Sequence, residues 1–323
     1  MGCGKKTGEL PMENLIVAVN AVLPMFLIIG LGVLVRQTHM ISAEAVRQAN
    51  GMCFKVFISI LLFYNVYTSD LSSSFNGKLL AFCVLGILAE FLAGALIVPR
   101  ITKEPPARGV MLQSLFRTNI VLLAIPIITS LFGPDSVGQT AVLLAVAVPL
   151  VNVLSVVALE MHRGGRPSPK KILRGVVTNP LVLGALAGIL ALAVHLRLPA
   201  VAESAVKSVA NAATPLALVL MGASLNFSKL RSSARNLFIC VVFRLFISPA
   251  LLVGLAAALG FRDVALGIIL MVFAAPVAVN SYTMALQMDG DADLAGGLVL
   301  LTTALSCFTL FLWIWLLKSL GLF

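Results

Sequence analysis

The sequence predicts an all-α, polytopic membrane protein, and three observations predict it. Of 323 residues, 60% are hydrophobic and 11% are charged, whereas soluble domains run at about a quarter charged. Mean hydropathy is +1.05. The apolar stretches are continuous runs near the length of a membrane-crossing helix, not the short alternating segments of a β-barrel.

Taken in chain order, residues 1–12 open with Met-Gly but carry no apolar core before a cleavage site. Lys6 stands where a myristoylation signal needs Ser or Thr. This stretch is expected to be a disordered extension, with Met12 an alternative start. Residues 13–160 hold five candidate spans, at roughly 14–35, 43–67, 78–98, 109–132 and 137–159. A basic linker follows at 161–175. Residues 176–323 hold five more, at roughly 176–196, 202–225, 236–259, 264–287 and 294–317.

Loops after the odd-numbered spans carry thirteen Lys and Arg, and the opposite side carries seven. The positive-inside rule therefore puts the 161–175 linker in the cytoplasm and both termini outside, in the cell's inner (plasma) membrane. The net charge of +10 sits in these short loops, which excludes a nucleic-acid-binding face. Five spans per half reverse the direction of the second half, so likeness between halves would make an inverted repeat. Spans four and nine show such a likeness. Each pairs an asparagine with a proline and ends in a glycine–acid turn before a Val-Leu-Leu helix start.

An ionisable side chain within a bilayer is costly and so marks a functional hypothesis. Lys55 and Glu90 lie at comparable depths in spans two and three, and an ion pair between them is expected. It would either lock the two helices or couple proton movement. Arg117 and Arg244 are candidates for anion recognition, because a guanidinium matches a carboxylate. Snorkelling to the interface is the alternative, stronger for Arg117. Pro126 and Pro276 are read as helix breaks with Asn119 and Asn280 as polar partners, and substrate binding is expected at Asn119, Asn280, Ser281 and the backbone at Pro126 and Pro276. Half-helix N-termini exposed there would suit an anion. Pro24, Pro149, Pro215 and Pro249 are read as ordinary kinks. Asp289, Asp291 and Asp293 are read as a solvated turn capping span ten. The five cysteines and three histidines show no metal spacing, so no metal or other cofactor is expected.

Several stretches resemble the auxin efflux carrier family of permeases, short bacterial type. "MENLIVAVNAVLPMFLIIGLGVLVR" resembles its first span and "FRTNIVLLAIPIITSLFG" its fourth. "NPLVLGALAGIL", "MGASLNFSKLR" and "RLFISPALL" resemble spans six to eight. "APVAVNSYTMALQMDGDADLAGGLVLLTTALS" is similar to spans nine and ten. The resemblance implies ten helices in two inverted five-helix repeats, similar to the bile-acid symporter and sodium/proton antiporter folds. Spans four and nine would unwind at Pro126 and Pro276 and cross at the membrane centre, with Asn119 lining the substrate site. Lys55 matches a lysine of a polar support site in plant members. The acidic partner would be Asp70 or Glu90, neither at a matching position. The proposed substrates of the short type are malate, malonate and similar carboxylates.

The function expected is secondary active transport of small mono- or dicarboxylates by alternating access around the crossing. The partners are the organic anion and membrane lipid, with a homodimer one open option. Coupling to a proton or sodium gradient is left open. A channel-like anion pore and a non-transporting membrane receptor are the alternatives. An enzyme is not expected: the sequence has no nucleophile with a matched base, no H-E-x-x-H and no G-x-x-x-x-G-K-[ST] loop.

Overall fold

A computed structural model describes residues 10–68, 76–163, 169–225 and 233–323, without the side chains of 10–22 and Lys171. The described residues form thirteen helices. They are α1 (Leu10–Gln37), α2 (Ala43–Tyr67), α3 (Gly77–Ile101), α4 (Pro105–Phe116), α5 (Ile120–Phe132), α6 (Pro134–Glu160) and α7 (Pro169–Val177). They continue with α8 (Pro180–Ala193), α9 (Ala200–Ser224), α10 (Ala234–Ala258), α11 (Asp263–Ala274), α12 (Asn280–Gln287) and α13 (Ala292–Ser319). Six of them, α2, α3, α6, α9, α10 and α13, are long and apolar enough to cross a membrane unbroken. Leu27, Leu85, Leu96 and Leu251 present 64–67% of their surface outward. Such exposure is costly in water and neutral against lipid.

Local chemistry sets the helix starts. The side chains of Ser42, Asn76, Asn179 and Asp291 accept from Ala45, Leu79, Leu181 and Leu294 amides, satisfying donors that a first turn leaves free. Pro105 and Pro180 open α4 and α8, where a missing N–H costs nothing.

Several sequence-based boundaries change. Helix α1 begins at Leu10, inside the stretch expected to be disordered. The 161–175 linker contributes a separate helix, α7, and the sixth apolar segment shortens to α8. Spans four and nine are each two helices, α4 with α5 and α11 with α12. Asp70 lies outside the described residues.

Two packing groups result. In the first, α1 lies against α9, and α2 lies against α8 and α9. Glycines make these approaches possible. A Cβ on Gly32 would sit 2.1 Å from the Val219 carbonyl oxygen, and one on Gly222 would sit 2.1 Å from that of Ile29. Gly184 and Gly188, spaced as G-x-x-x-G, meet the Ser59 and Phe63 carbonyls in the same way. The second group gathers α3, α4, α5, α6, α10, α11, α12 and α13 around the two broken helices. Its interior carries the polar residues: Gln113, Ser155, Arg244, Thr302 and Thr303 are fully buried.

Chain ends alternate between the two sides. Arg163 Nε bonds Asp289 Oδ2 at 2.8 Å, and the Asp291 amide donates to the Pro106 carbonyl at 3.2 Å, so three loops gather at one end. At the other, the Leu198 amide donates to Tyr67 Oη and the Asp263 amide to the Leu322 carbonyl.

Candidate functional site

The two broken helices cross through a short antiparallel bridge between Thr118 and Val277. The Asn119 amide donates to the Pro276 carbonyl at 2.8 Å, and the Ala278 amide to that of Arg117 at 3.4 Å. Thr302 Oγ1 accepts from the Val277 amide at 3.0 Å. Gln113 of α4 reaches the Ser281 carbonyl of α12 at 3.2 Å. Four helix ends therefore converge on one point, fixed by two main-chain bonds and by the side chains of Thr302 and Gln113.

The position of the first break corrects the sequence expectation. The chain unwinds at Arg117–Asn119, and α5 runs helical through Pro126, which is exposed on its outer face. Pro126 removes only the amide that the Leu122 carbonyl would accept. The second break does fall at its proline, with Ala275–Val279 between α11 and α12. Ala275 is extended, as a residue before proline prefers.

On one face of the crossing sits Arg244, carried inward on a π turn of α10 (Phe243–Ile247). Its guanidinium is fully buried and donates to three carbonyls: Leu115 at 2.6 Å, Val272 at 2.8 Å and Ala275 at 3.1 Å. These oxygens belong to the C-terminal ends of α4 and α11. They are free because Pro276 has no N–H for Val272, and because the Asn119 amide is turned to the bridge rather than to Leu115. Glu90 Oε2 lies 3.7 Å from Arg244, and Ser248 donates to Glu90 Oε1. Arg244 thus ties both helix ends together.

Glu90 has Arg244 for its ion-pair partner, which overturns the expected pair with Lys55. Lys55 is exposed on a π turn of α2 (Cys53–Ile58) and makes no ion pair among the described residues. The side chains of Lys55 and Glu90 have different surroundings, one exposed and one buried against Arg244.

On the opposite face lies a cavity of about 480 Å3 between the two packing groups. The crossing contributes Arg117, Thr118, Asn119 and Asn280, and the first turn of α5 lies beside them. Pro24 and Met25 of α1, Asn65 of α2, Asn152 of α6, and Asn211, Thr214 and Pro215 of α9 close the wall. Arg117 is 3% exposed, and its Nε and Nη1 have no hydrogen-bond partner. Asn119 Nδ2, Asn152 Oδ1 and Asn280 Oδ1 are also buried without one. Neither α5 nor α12 has a side-chain cap, so two positive dipole ends lie at the crossing, although the Ser281 and Tyr282 amides of α12 are taken by the Ala278 and Val279 carbonyls. One buried cation, several amides offering both donors and acceptors, and two helix starts without side-chain caps meet there against an apolar wall.

Of the residues singled out from sequence, Arg117, Asn119 and Asn280 meet in this cavity. Pro276 sits behind it, and Ser281, buried with an unpartnered hydroxyl, does not line it. Asn65, Asn152 and Asn211 line it without being marked by the sequence pattern, and Pro24 and Pro215, read as kinks, line it as well. The signal available was that each proline frees a carbonyl one turn back, and for Pro215 that residue is Asn211 itself. No group of three or more possible metal ligands occurs among the described residues.

Residues 17–314 match the family described as membrane transport protein. An uncharacterized transporter of Methanothermobacter thermautotrophicus is 24% identical over 299 residues, covering 91% of this chain and 96% of its own. An uncharacterized transporter of Methanocaldococcus jannaschii is 23% identical over 241 residues, covering 73% and 75%. A match across nearly the whole chain, on a helical scaffold with a buried crossing, makes the conclusion plain: this protein belongs to the membrane transport protein family, that of the auxin efflux carriers.

Proposed function

We propose that the protein is a secondary active transporter of small organic anions, holding a carboxylate at Arg117. The observation that carries this is a buried arginine in the wall of a cavity between two packing groups, with two guanidinium nitrogens that no protein group matches. A buried arginine with no protein partner is unfavourable unless something arrives to match it. A bidentate carboxylate fits, and Asn119, Asn280 and the starts of α5 and α12 would complete its shell.

In this reading the chain crosses the membrane ten times in two inverted five-span repeats, with the broken pairs α4–α5 and α11–α12 in equivalent places. The glycine-packed group of α1, α2, α8 and α9 is the stationary frame. The crossing group moves against it, exposing the cavity to each side in turn. The basic end, with Arg163 and the α6–α7 linker, faces the cytoplasm.

The test is a thermal-shift screen of mono- and dicarboxylates on the purified protein and on Arg117→Gln. At least one carboxylate should stabilise the wild type by several degrees and leave Arg117→Gln unmoved. Failure of every carboxylate on the wild type, or equal shifts in both proteins, would overturn the anion site. Saturable uptake of the stabilising anion into proteoliposomes should follow, and unitary currents instead of saturation would overturn the carrier.

A further inference from the structure

The four helix ends at the crossing are of two kinds, and each kind meets different chemistry. The starts of α5 and α12 border the anion cavity. The ends of α4 and α11 turn their carbonyls toward Arg244. The last carbonyls of a helix lack intrahelical partners and carry partial negative charge. In carriers built on broken helices, such unwound carbonyls and helix C-termini are where a coupling sodium ion binds. Oxygen donors are what a hard cation takes.

The donor set for such an ion is assembled here. The Leu115, Val272 and Ala275 carbonyls converge from two helices, and Glu90 adds a buried carboxylate behind them. All of these oxygens face one guanidinium, which reaches the three carbonyls at 2.6–3.1 Å from Nη1, Nη2 and Nε. Glu90 supplies the countercharge at 3.7 Å, held by Ser248, which also bonds the Phe273 carbonyl at 3.2 Å.

We propose that Arg244 is a resident cation: its guanidinium permanently fills the carbonyl seat that a coupling sodium ion would otherwise occupy. The crossing is then assembled without a bound metal ion, and sodium has no place in the transport cycle at this point. Arg244 is a positioning residue, joining two helix ends, and it leaves Arg117 as the cation that meets the anion. The consequence for coupling rests on the carrier reading above, but the occupancy of the seat does not.

The test uses melting temperatures of the purified full-length protein in sodium, lithium or choline chloride at matched ionic strength. The wild type should melt at the same temperature in all three. Arg244→Ala should melt several degrees lower in choline and recover part of the loss in sodium or in dilute, sub-denaturing guanidinium chloride. Arg244→Lys, which keeps a tethered cation, should fold and stay insensitive to sodium. Three results overturn the proposal: a wild type stabilised by sodium or lithium over choline, an Arg244→Ala indifferent to both sodium and guanidinium, or an Arg244→Lys no better than Arg244→Ala. If Arg244→Ala yields no folded protein, the wild-type and lysine arms still decide. A carboxylate screen without hits would sink the carrier and leave these melting curves as they are, so the two failures are separable.

Discussion

Arg117 and Arg244 lie on opposite faces of one crossing, both buried, at 3% and 0% exposure. Their surroundings could hardly differ more. Arg244 has three carbonyls and a carboxylate around it, all donated by the protein. Arg117 stands in the wall of a cavity, and its Nε and Nη1 have no hydrogen-bond partner. Burial is therefore a poor guide to what a charge in the membrane does. The partner list separates the two: the protein matches the charge of Arg244 and leaves that of Arg117 unmatched.

The sharpest way to break that contrast is to replace each arginine with methionine, which keeps length and loses charge. Arg244→Met strands Glu90 and three carbonyls, and breaking a buried pair costs about 3–5 kcal/mol. It should appear as a much lower melting temperature and poor yield. Arg117→Met removes an unmatched charge, so stability should hold or rise while any carboxylate-induced thermal shift disappears. Equal loss of stability in both would collapse the distinction.

A smaller effect tests the division between frame and crossing group. Gly32→Ala would drive a methyl to 2.1 Å from the Val219 carbonyl and force α1 off α9. Overpacking of this kind costs roughly 1–3 kcal/mol. Gly30, two residues earlier on α1, has open space at the same position, so Gly30→Ala should be neutral or slightly stabilising. Chemical denaturation in detergent compares them. If Gly30→Ala does as much damage as Gly32→Ala, close backbone approach is not what holds the frame.

What could be read from sequence follows the same division. Continuous apolar runs carry the helical membrane class, because that depends on local composition. Asn119, Asn280 and Arg117 were legible as costly polar residues in apolar surroundings. The true partners of Arg244 were not, since backbone carbonyls leave no mark in a sequence. Lys55 and Glu90 were paired by depth, but depth says nothing about the angle at which a side chain leaves its helix. Asn65, Asn152 and Asn211 come from three different helices, and no spacing along the chain connects them.

The smallest effect concerns the prolines, whose roles sequence could not rank. In α5, Pro126→Ala returns an amide to the Leu122 carbonyl in a helix that already runs straight through. Stability and the carboxylate response should both stay close to wild type. Pro276→Ala is different because of one carbonyl. An alanine at 276 brings an N–H four residues after Val272, whose oxygen now accepts Arg244 Nη2 at 2.8 Å. Helix α11 could then extend and compete with the guanidinium for that oxygen, drawing Pro276's own carbonyl away from the Asn119 amide. Because one hydrogen bond replaces another, the change in stability should stay within about 1 kcal/mol. The carboxylate-induced thermal shift should nevertheless fall severalfold, since the bridge sets where Arg117 and Asn119 stand. Were Pro126→Ala the more damaging of the two, the opening of α5 would have to be sought one turn beyond Asn119.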